Sequence, residues 1–156
     1  MRSHRRSRAV HLCLACAAMG AAAFMMGDET EAARRFHECL DSPLDRPLVK
    51  ASALAHLAVI EVEHGRWDEA TVMARRAKEI LGPSAFRPPG ILVLASSVLA
   101  ETHAGRATEV EDDRRRCHQL LVDLVGVAPW LNLQARVALA REALLRHDRA
   151  GAAALL

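Results

Sequence analysis

Aromatic residues are scarce in this sequence. Its 156 residues include two Trp and three Phe but no Tyr. The core must therefore be packed from smaller apolar side chains, chiefly Ala and Leu. Such residues favour close-packed helices, whereas strands prefer aromatic and β-branched residues. The composition predicts an all-α protein.

An excess of charge of one sign is also missing. The 21 Lys and Arg residues nearly balance the 19 Asp and Glu residues, which leaves a formal net charge of +2. This balance gives no electrostatic argument for a nucleic-acid partner, so we predict no direct contact with nucleic acid. Because 51% of the residues are hydrophobic, a disordered chain is excluded as well.

Sequence signatures of catalysis are lacking too. The chain has no paired carboxylates or catalytic triad at a recognisable spacing, and no G-x-x-x-x-G-K-[ST] phosphate-binding loop. We therefore predict that the protein is not an enzyme and that it binds neither a metal ion nor another cofactor.

The amino terminus is open to two interpretations. Four Arg residues within residues 2–8 precede the apolar run 9–26, and this order is that of a secretory signal or a short membrane anchor. The alternative is a buried helix, because the turn that follows at Gly27 recurs twice further along the chain. We favour the helix, preceded by a basic disordered segment at residues 1–8.

Three copies of one motif indicate an internal repeat. Gly27, Gly65 and Gly105 each begin the pattern Gly-x-x-[Asp/Thr]-Glu-[Ala/Val], and a fainter fourth copy has Asp148 in the glycine position. A glycine in the left-handed conformation ends one helix, and the Asp or Thr three residues later is suited to cap the next. Each copy therefore predicts the turn of a helical hairpin.

Apolar residues around each turn recur at helical spacing. Upstream of the fourth turn, for example, Leu133, Val137, Ala140 and Leu144 form one predicted buried face. Prolines fall between the hairpins and not inside them. We predict a single domain over residues 9–156 with hairpins at 9–41, 48–82, 89–124 and 129–156, the last one truncated.

Stacked hairpins of this size form a solenoid. We predict a right-handed superhelix of seven to eight helices in which the first helix of each hairpin lines a concave groove. The predicted groove-lining residues are Ser52, Val59, Glu63, Ser96, Leu99, His103, Glu142 and Arg146.

The second hairpin resembles a tetratricopeptide repeat, with Leu57 and Ala58 on its first helix, Gly65 at the turn, Trp67 at the aromatic position and Ala70 on its second helix. Over about residues 10–156 the chain is similar to the tetratricopeptide-like sensor region of LuxR-type, maltose-regulator-like transcriptional regulators. In that family the region is implied to lie between an ATPase module and a DNA-binding helix-turn-helix, neither of which is recognisable here.

The resemblance implies a non-catalytic cytoplasmic module that binds a protein or a small apolar inducer in its groove. The Lys and Asn ladder with which some tetratricopeptide domains bind a peptide carboxylate is missing, which favours an apolar partner. The alternative is an exported or membrane-tethered adaptor in which residues 1–26 are the signal or anchor; no membrane contact is predicted unless residues 9–26 are such an anchor.

Several smaller features are predicted to have structural roles. Cys13 and Cys16 are predicted core residues, with a zinc set completed by His37 and Cys39 as the alternative. The histidines 64, 103 and 147 are predicted helix caps, and the charged run 109–116 a solvated face stabilised by i,i+4 ion pairs. The apolar carboxyl-terminal segment predicts that the chain either self-associates through that end or frays there.

Overall fold

The computed structural model describes residues 2–43, 46–82 and 87–156, with side chains from Cys13 onward. These ranges contain eight α-helices and no β-strand, which confirms the all-α prediction. Pro83, one of the prolines placed between hairpins, lies outside the described residues. The helices are α1 (Arg2–Met25), α2 (Glu29–Leu40), α3 (Pro47–Glu63), α4 (Trp67–Leu81), α5 (Pro88–His103), α6 (Glu111–Asp123), α7 (Pro129–Leu145) and α8 (Arg149–Leu155).

Consecutive helices pair as hairpins, and the hairpins pack against one another in chain order. The first helices form one layer, since α3 contacts α1 and α5, and α5 contacts α7. The second helices α2 and α4 also contact the first helix of the next hairpin, so each hairpin covers the apolar side of its neighbour. The right-handed superhelical twist of the stack stays a prediction.

Helix α5 lies at the centre of the molecule. Every residue from Gly90 to Thr102 is buried, because α5 is packed by α3 and α4 on one side and by α6 and α7 on the other. Its sequence is apolar on all sides of the helix, which is typical of a helix without a solvent face. Only residues at the two ends of α5 can therefore contact solvent or a ligand.

The predicted glycine turns are present. Gly27, Gly65 and Gly105 have φ values of 78°, 71° and 79°, in the left-handed region that a side chain disfavours. In the fourth turn the left-handed residue is His147, with φ 63°, and not Asp148. Asp148 instead begins the next helix by accepting a hydrogen bond from the Gly151 N–H at 2.8 Å.

Helix capping differs from the prediction at the three glycine turns. The cap of α2 is Asp28, whose carboxylate accepts from the Glu31 N–H at 3.0 Å, and not Thr30. Helix α4 begins at Trp67, before Asp68. Helix α6 begins at Glu111 because residues 107–110 form an additional turn, which places Thr108 outside the helix.

Helix α1 packs against the rest of the molecule. Its buried residues Cys13, Cys16, Gly20 and Ala23 recur at intervals of three and four and face α2 and α3. The helix begins at Arg2, so residues 2–8, predicted to be disordered, have a helical backbone. The physical reason is that this segment is rich in arginine, a good helix former. Within the described residues, no helix combines the length and apolarity needed to cross a membrane.

Candidate functional site

A groove opens where the carboxyl-terminal ends of α3, α5 and α7 meet the start of α4. Its volume is about 350 Å³, and its lining consists of Val62, Glu63, Trp67, Leu99, Arg141, Leu144 and Leu145. The three first helices end here side by side because they pack in one layer, and each hairpin turns back immediately beyond the groove. We call this feature the groove.

An aromatic stack forms one wall of the groove. The Trp67 indole lies parallel to the His103 imidazole, with ring centroids 3.3 Å apart and 6° between the ring planes. Trp67 begins α4 and His103 ends α5, so the stack joins the second hairpin to the third. His103, predicted to cap its helix, has this aromatic contact as well as its place in the last turn.

An ion pair crosses the rim of the groove. The Arg141 guanidinium of α7 donates to the Glu63 carboxylate of α3, although α5 lies between these two helices in the layer. Both side chains are at least one-third exposed, so solvent screens the pair and its contribution to stability is small. The pair limits the groove on one side and leaves its apolar floor accessible.

The accessible floor is apolar. Leu144 and Leu145 expose 54% and 42% of their surface, although both lie on a helix that contributes to the core. Buried Leu99 and Val62 continue this apolar surface beneath them. Exposed leucines that share a cavity with an aromatic stack are typical of a binding surface. Single apolar residues scattered over a protein surface are common and do not indicate binding.

The predicted groove residues divide into two sets. Glu63 and Leu99 line the groove, and His103 supports its aromatic wall. Val59 and Ser96 are buried inside the helix layer, and the Ser96 hydroxyl donates to the Val93 carbonyl at 3.0 Å. Ser52 is partly buried one turn before His56, whose ring nitrogen contacts the Ser52 carbonyl.

Glu142 and Arg146, predicted in the groove, belong instead to a buried ionic network. Glu142 is 1% exposed and accepts hydrogen bonds from Thr102 at 3.1 Å, Arg114 at 2.6 Å and Arg146 at 2.7 Å. The network joins α5, α6 and α7. A buried carboxylate needs such partners, and three donors point at this one.

Arg114 also departs from the prediction of a solvated charged face. Its side chain is 8% exposed because it reaches inward to Glu142, and it also pairs with Glu111 at the surface. The exposed ion pair of this segment joins Arg115 to Asp112, three residues apart and not four. The charged run therefore contains the buried Arg114 and the mostly buried Asp113, which pairs with Lys78 of α4, among solvated neighbours.

Helix α7 presents a different face from the one predicted. Leu133 and Leu144, predicted to be buried, are 62% and 54% exposed, whereas Leu131, Ala138 and Leu139 are buried. Both faces of α7 are apolar, so helical periodicity alone does not indicate which one the neighbours cover. For this reason sequence analysis missed Arg141, Leu144 and Leu145 as groove residues. Trp67, on α4, was predicted only as the aromatic position of the second repeat.

The cysteines predicted to be core residues are buried. Cys13, Cys16, Cys39 and Cys117 are all free thiols, and the Sγ atoms of Cys13 and Cys39 are 3.6 Å apart. His37, the other residue of the alternative zinc set, is exposed on α2. No group of three or more His, Cys, Asp or Glu side chains in the described ranges is placed to hold a metal ion.

A second cleft, of about 310 Å³, is lined by charged residues between the second and third hairpins. Glu101 accepts from Arg75 at 2.5 Å and also pairs with Arg106. Burial alone would raise the pKa of Glu101, but the hydrogen bonds from the two guanidinium groups outweigh it and hold the pKa below its usual value. The pair of Arg75 with Glu101 joins the second hairpin to the third at this cleft.

Comparison with known proteins identifies no relative of this chain. No protein-family model, no curated protein and no solved structure matches this chain. The resemblance to LuxR-type regulators therefore remains a prediction, and the groove is the feature that bears on function.

Proposed function

We propose that the protein is a non-catalytic helical-repeat interaction module that receives an apolar ligand in the groove, either a protein segment or a small inducer. The observation that carries the proposal is the exposure of Leu144 and Leu145 beside the Trp67–His103 stack. A ligand covering these leucines would remove apolar surface from water, which is the main driving force for association.

The size and charge of the groove define the ligand. A volume of about 350 Å³ lies at the lower end of the range for small-molecule sites, about 300–1,000 Å³. It suits a compact inducer or a few large side chains of an amphipathic helix. The ion pair of Glu63 with Arg141 neutralises the rim, so the partner needs no strong charge of its own.

Within this proposal, the module acts as the cytoplasmic sensor part of a LuxR-type regulator. The support is the repeated glycine turn and the tetratricopeptide-like positions of the second hairpin. Sequencing of the coding region beyond Leu156 tests this assignment. We expect a continuing reading frame that encodes a helix-turn-helix, and a different domain there would contradict it.

Peptide selection tests binding in the groove. Random peptides displayed on phage are selected against the full chain, and their affinities are measured for the wild type and for Leu144→Asn. Leu133→Asn is a matched control, because Leu133 is equally exposed on the same helix, eleven residues and about 16 Å away.

We expect selected peptides to be apolar and to bind Leu144→Asn at least tenfold more weakly, with less than a twofold effect of Leu133→Asn. Both substitutions are at exposed positions, so the fold is retained, and circular dichroism checks this. Equal loss in both variants, or none in either, would place binding outside the groove and contradict the proposal.

A further inference from the structure

Three cysteines form a cluster between α1 and α2, away from the groove. Cys13 and Cys16 lie one turn apart on α1, and Cys39 lies on α2. The Sγ atoms of Cys13 and Cys39 are in contact at 3.6 Å, and the Cys16 Sγ is 3.6 Å from a carboxylate oxygen of Glu38. The binding function proposed above uses none of these thiols.

A cleft leads from the surface to this cluster. It has a volume of about 380 Å³ and is lined by Cys13, Cys16, Arg35, Glu38 and residues 41–43. Cys39 is fully buried and touches Cys13. Cys13 and Cys16 both line the cleft although they are only 1% and 4% exposed, and the Cys39 sulfur lies directly behind Cys13, in contact with its sulfur.

The surroundings of the thiols set the order in which they react. Burial, with Glu38 close by, raises the pKa of the Cys16 thiol, and burial together with the Cys13 contact raises the pKa of Cys39 to about 12. The thiolate is the attacking form, so both groups are poor first nucleophiles. Cys13 lines the cleft and its sulfur touches that of Cys39, so the geometry makes Cys13 the thiol from which the pair is oxidised.

We propose that Cys13 and Cys39 are a redox-active dithiol pair, which small disulfides of the glutathione type oxidise to a cross-link between α1 and α2. The Cys13 thiolate attacks one sulfur of the small disulfide, forms a mixed disulfide and releases one thiolate. That thiolate takes the Cys39 proton. The Cys39 thiolate then attacks the Cys13 sulfur and expels the second small thiolate, which takes up the proton that Cys13 released when it ionised. Two protein thiols are oxidised, and one small disulfide is reduced to two thiols.

The geometry requires little movement for this reaction. The Sγ atoms must approach from 3.6 Å to about 2.05 Å. The bond would close a loop from residue 13 to residue 39 and fasten the first half of α1 to the stack. The consequence is that the attachment of α1 depends on the thiol–disulfide balance of its surroundings.

Oxidation of the full chain with oxidised glutathione tests the proposal. Intact mass is expected to fall by two hydrogen atoms, and thiols titrated after denaturation to fall from four to two. In a tryptic digest the peptide 9–34 should be joined to the peptide 36–50. Because Cys13 and Cys16 share one peptide, the variants Cys13→Ser, Cys16→Ser and Cys39→Ser assign the pair, and Cys117→Ser is the distant control.

We expect the cross-link in the wild type, Cys16→Ser and Cys117→Ser, and its loss in Cys13→Ser and Cys39→Ser. The oxidised wild type should melt about 5 °C or more above the reduced form, with reversal by reduced glutathione. A cross-link that persists in Cys13→Ser, one that forms only in urea, or a mixed disulfide as the sole product would overturn the proposal. In Cys16→Ser, Cys13 is the one cysteine left in the peptide 9–34, so the cross-linked peptides of this variant identify the pair even if another variant fails to fold.

Discussion

Glu142 shows how one buried residue joins three helices. Its carboxylate is the common acceptor for Thr102, Arg114 and Arg146. Without it the buried guanidinium of Arg114 would keep only the exposed Glu111 carboxylate and the Ala107 carbonyl as partners. We predict that Glu142→Ala lowers the free energy of unfolding by about 3–5 kcal/mol, the usual effect of removing one partner of a buried ion pair.

Glu111→Ala is the matched control for this prediction. It removes the other carboxylate of Arg114, but that side chain is 57% exposed, so a loss below about 1 kcal/mol is expected. Urea denaturation monitored by circular dichroism measures both values. Similar losses in the two variants would show that the Glu142 network does not hold the helices together.

His56 makes the stability of the protein depend on pH. Its ring stacks on Phe36 with centroids 4.7 Å apart, and burial lowers its pKa to about 4 from an ordinary value of about 6.5. Between these values the unfolded chain binds the proton and the folded chain does not. The stabilisation is therefore present above about pH 6.5 and is lost as the pH falls towards 4.

We predict a loss of about 3 kcal/mol from this residue across that window. Denaturation curves at half-unit steps from pH 4 to pH 8 measure it. His56→Gln should be less stable at neutral pH but should lack this part of the pH dependence, whereas His118→Gln, at an exposed position, should keep it. An unchanged slope in His56→Gln would refute the assignment.

At the scale of the element, Gly20 sets the distance between α1 and α2. A Cβ atom at this position would lie 2.9 Å from the Phe36 ring, which is fully buried. Alanine in a helix normally stabilises by about 1 kcal/mol relative to glycine. Here we predict that Gly20→Ala destabilises by about 1 kcal/mol or more, because the ring has no space to move.

A change of sign makes this prediction specific. In a Phe36→Leu background the smaller side chain leaves space for the Cβ atom, so Gly20→Ala should become neutral or stabilising. Thermal denaturation of the four proteins completes the double-mutant cycle. If Gly20→Ala stabilises the otherwise wild-type protein, α1 and α2 do not approach as closely at Gly20 as they do in this structure.

Helices and glycine turns were predictable because they depend on local chemistry. The left-handed positions at Gly27, Gly65 and Gly105 follow from the lack of a side chain. The extra turn before α6 was not predictable, because residues 107–110 have a helix-compatible sequence but form a turn. Val110, at the end of this turn, is buried in a core cluster with residues of α5 and α7, a tertiary contact that the neighbouring sequence does not specify.

Across the whole molecule, the groove was predictable only in outline. Glu63 and Leu99, two of the predicted residues, both line the groove because the first helices share one layer and their last turns meet. The tetratricopeptide register predicts Glu142 in the groove, but Glu142 is buried because Arg114 comes from another hairpin to neutralise it. Such partners depend on the tertiary arrangement of hairpins and are not encoded in repeat spacing.

The account depends most on binding at the groove, and fluorine NMR measures this directly. The chain has two Trp residues, and 5-fluorotryptophan labelling gives each one a resonance. Trp67 lines the groove, and Trp130 lies near the start of α7, fourteen residues and about 21 Å along that helix from Leu144. On titration with a selected peptide, we predict a saturable shift of the Trp67 resonance and an unchanged Trp130 resonance. A shift of Trp130 alone, or of neither resonance at saturating peptide, would contradict the account.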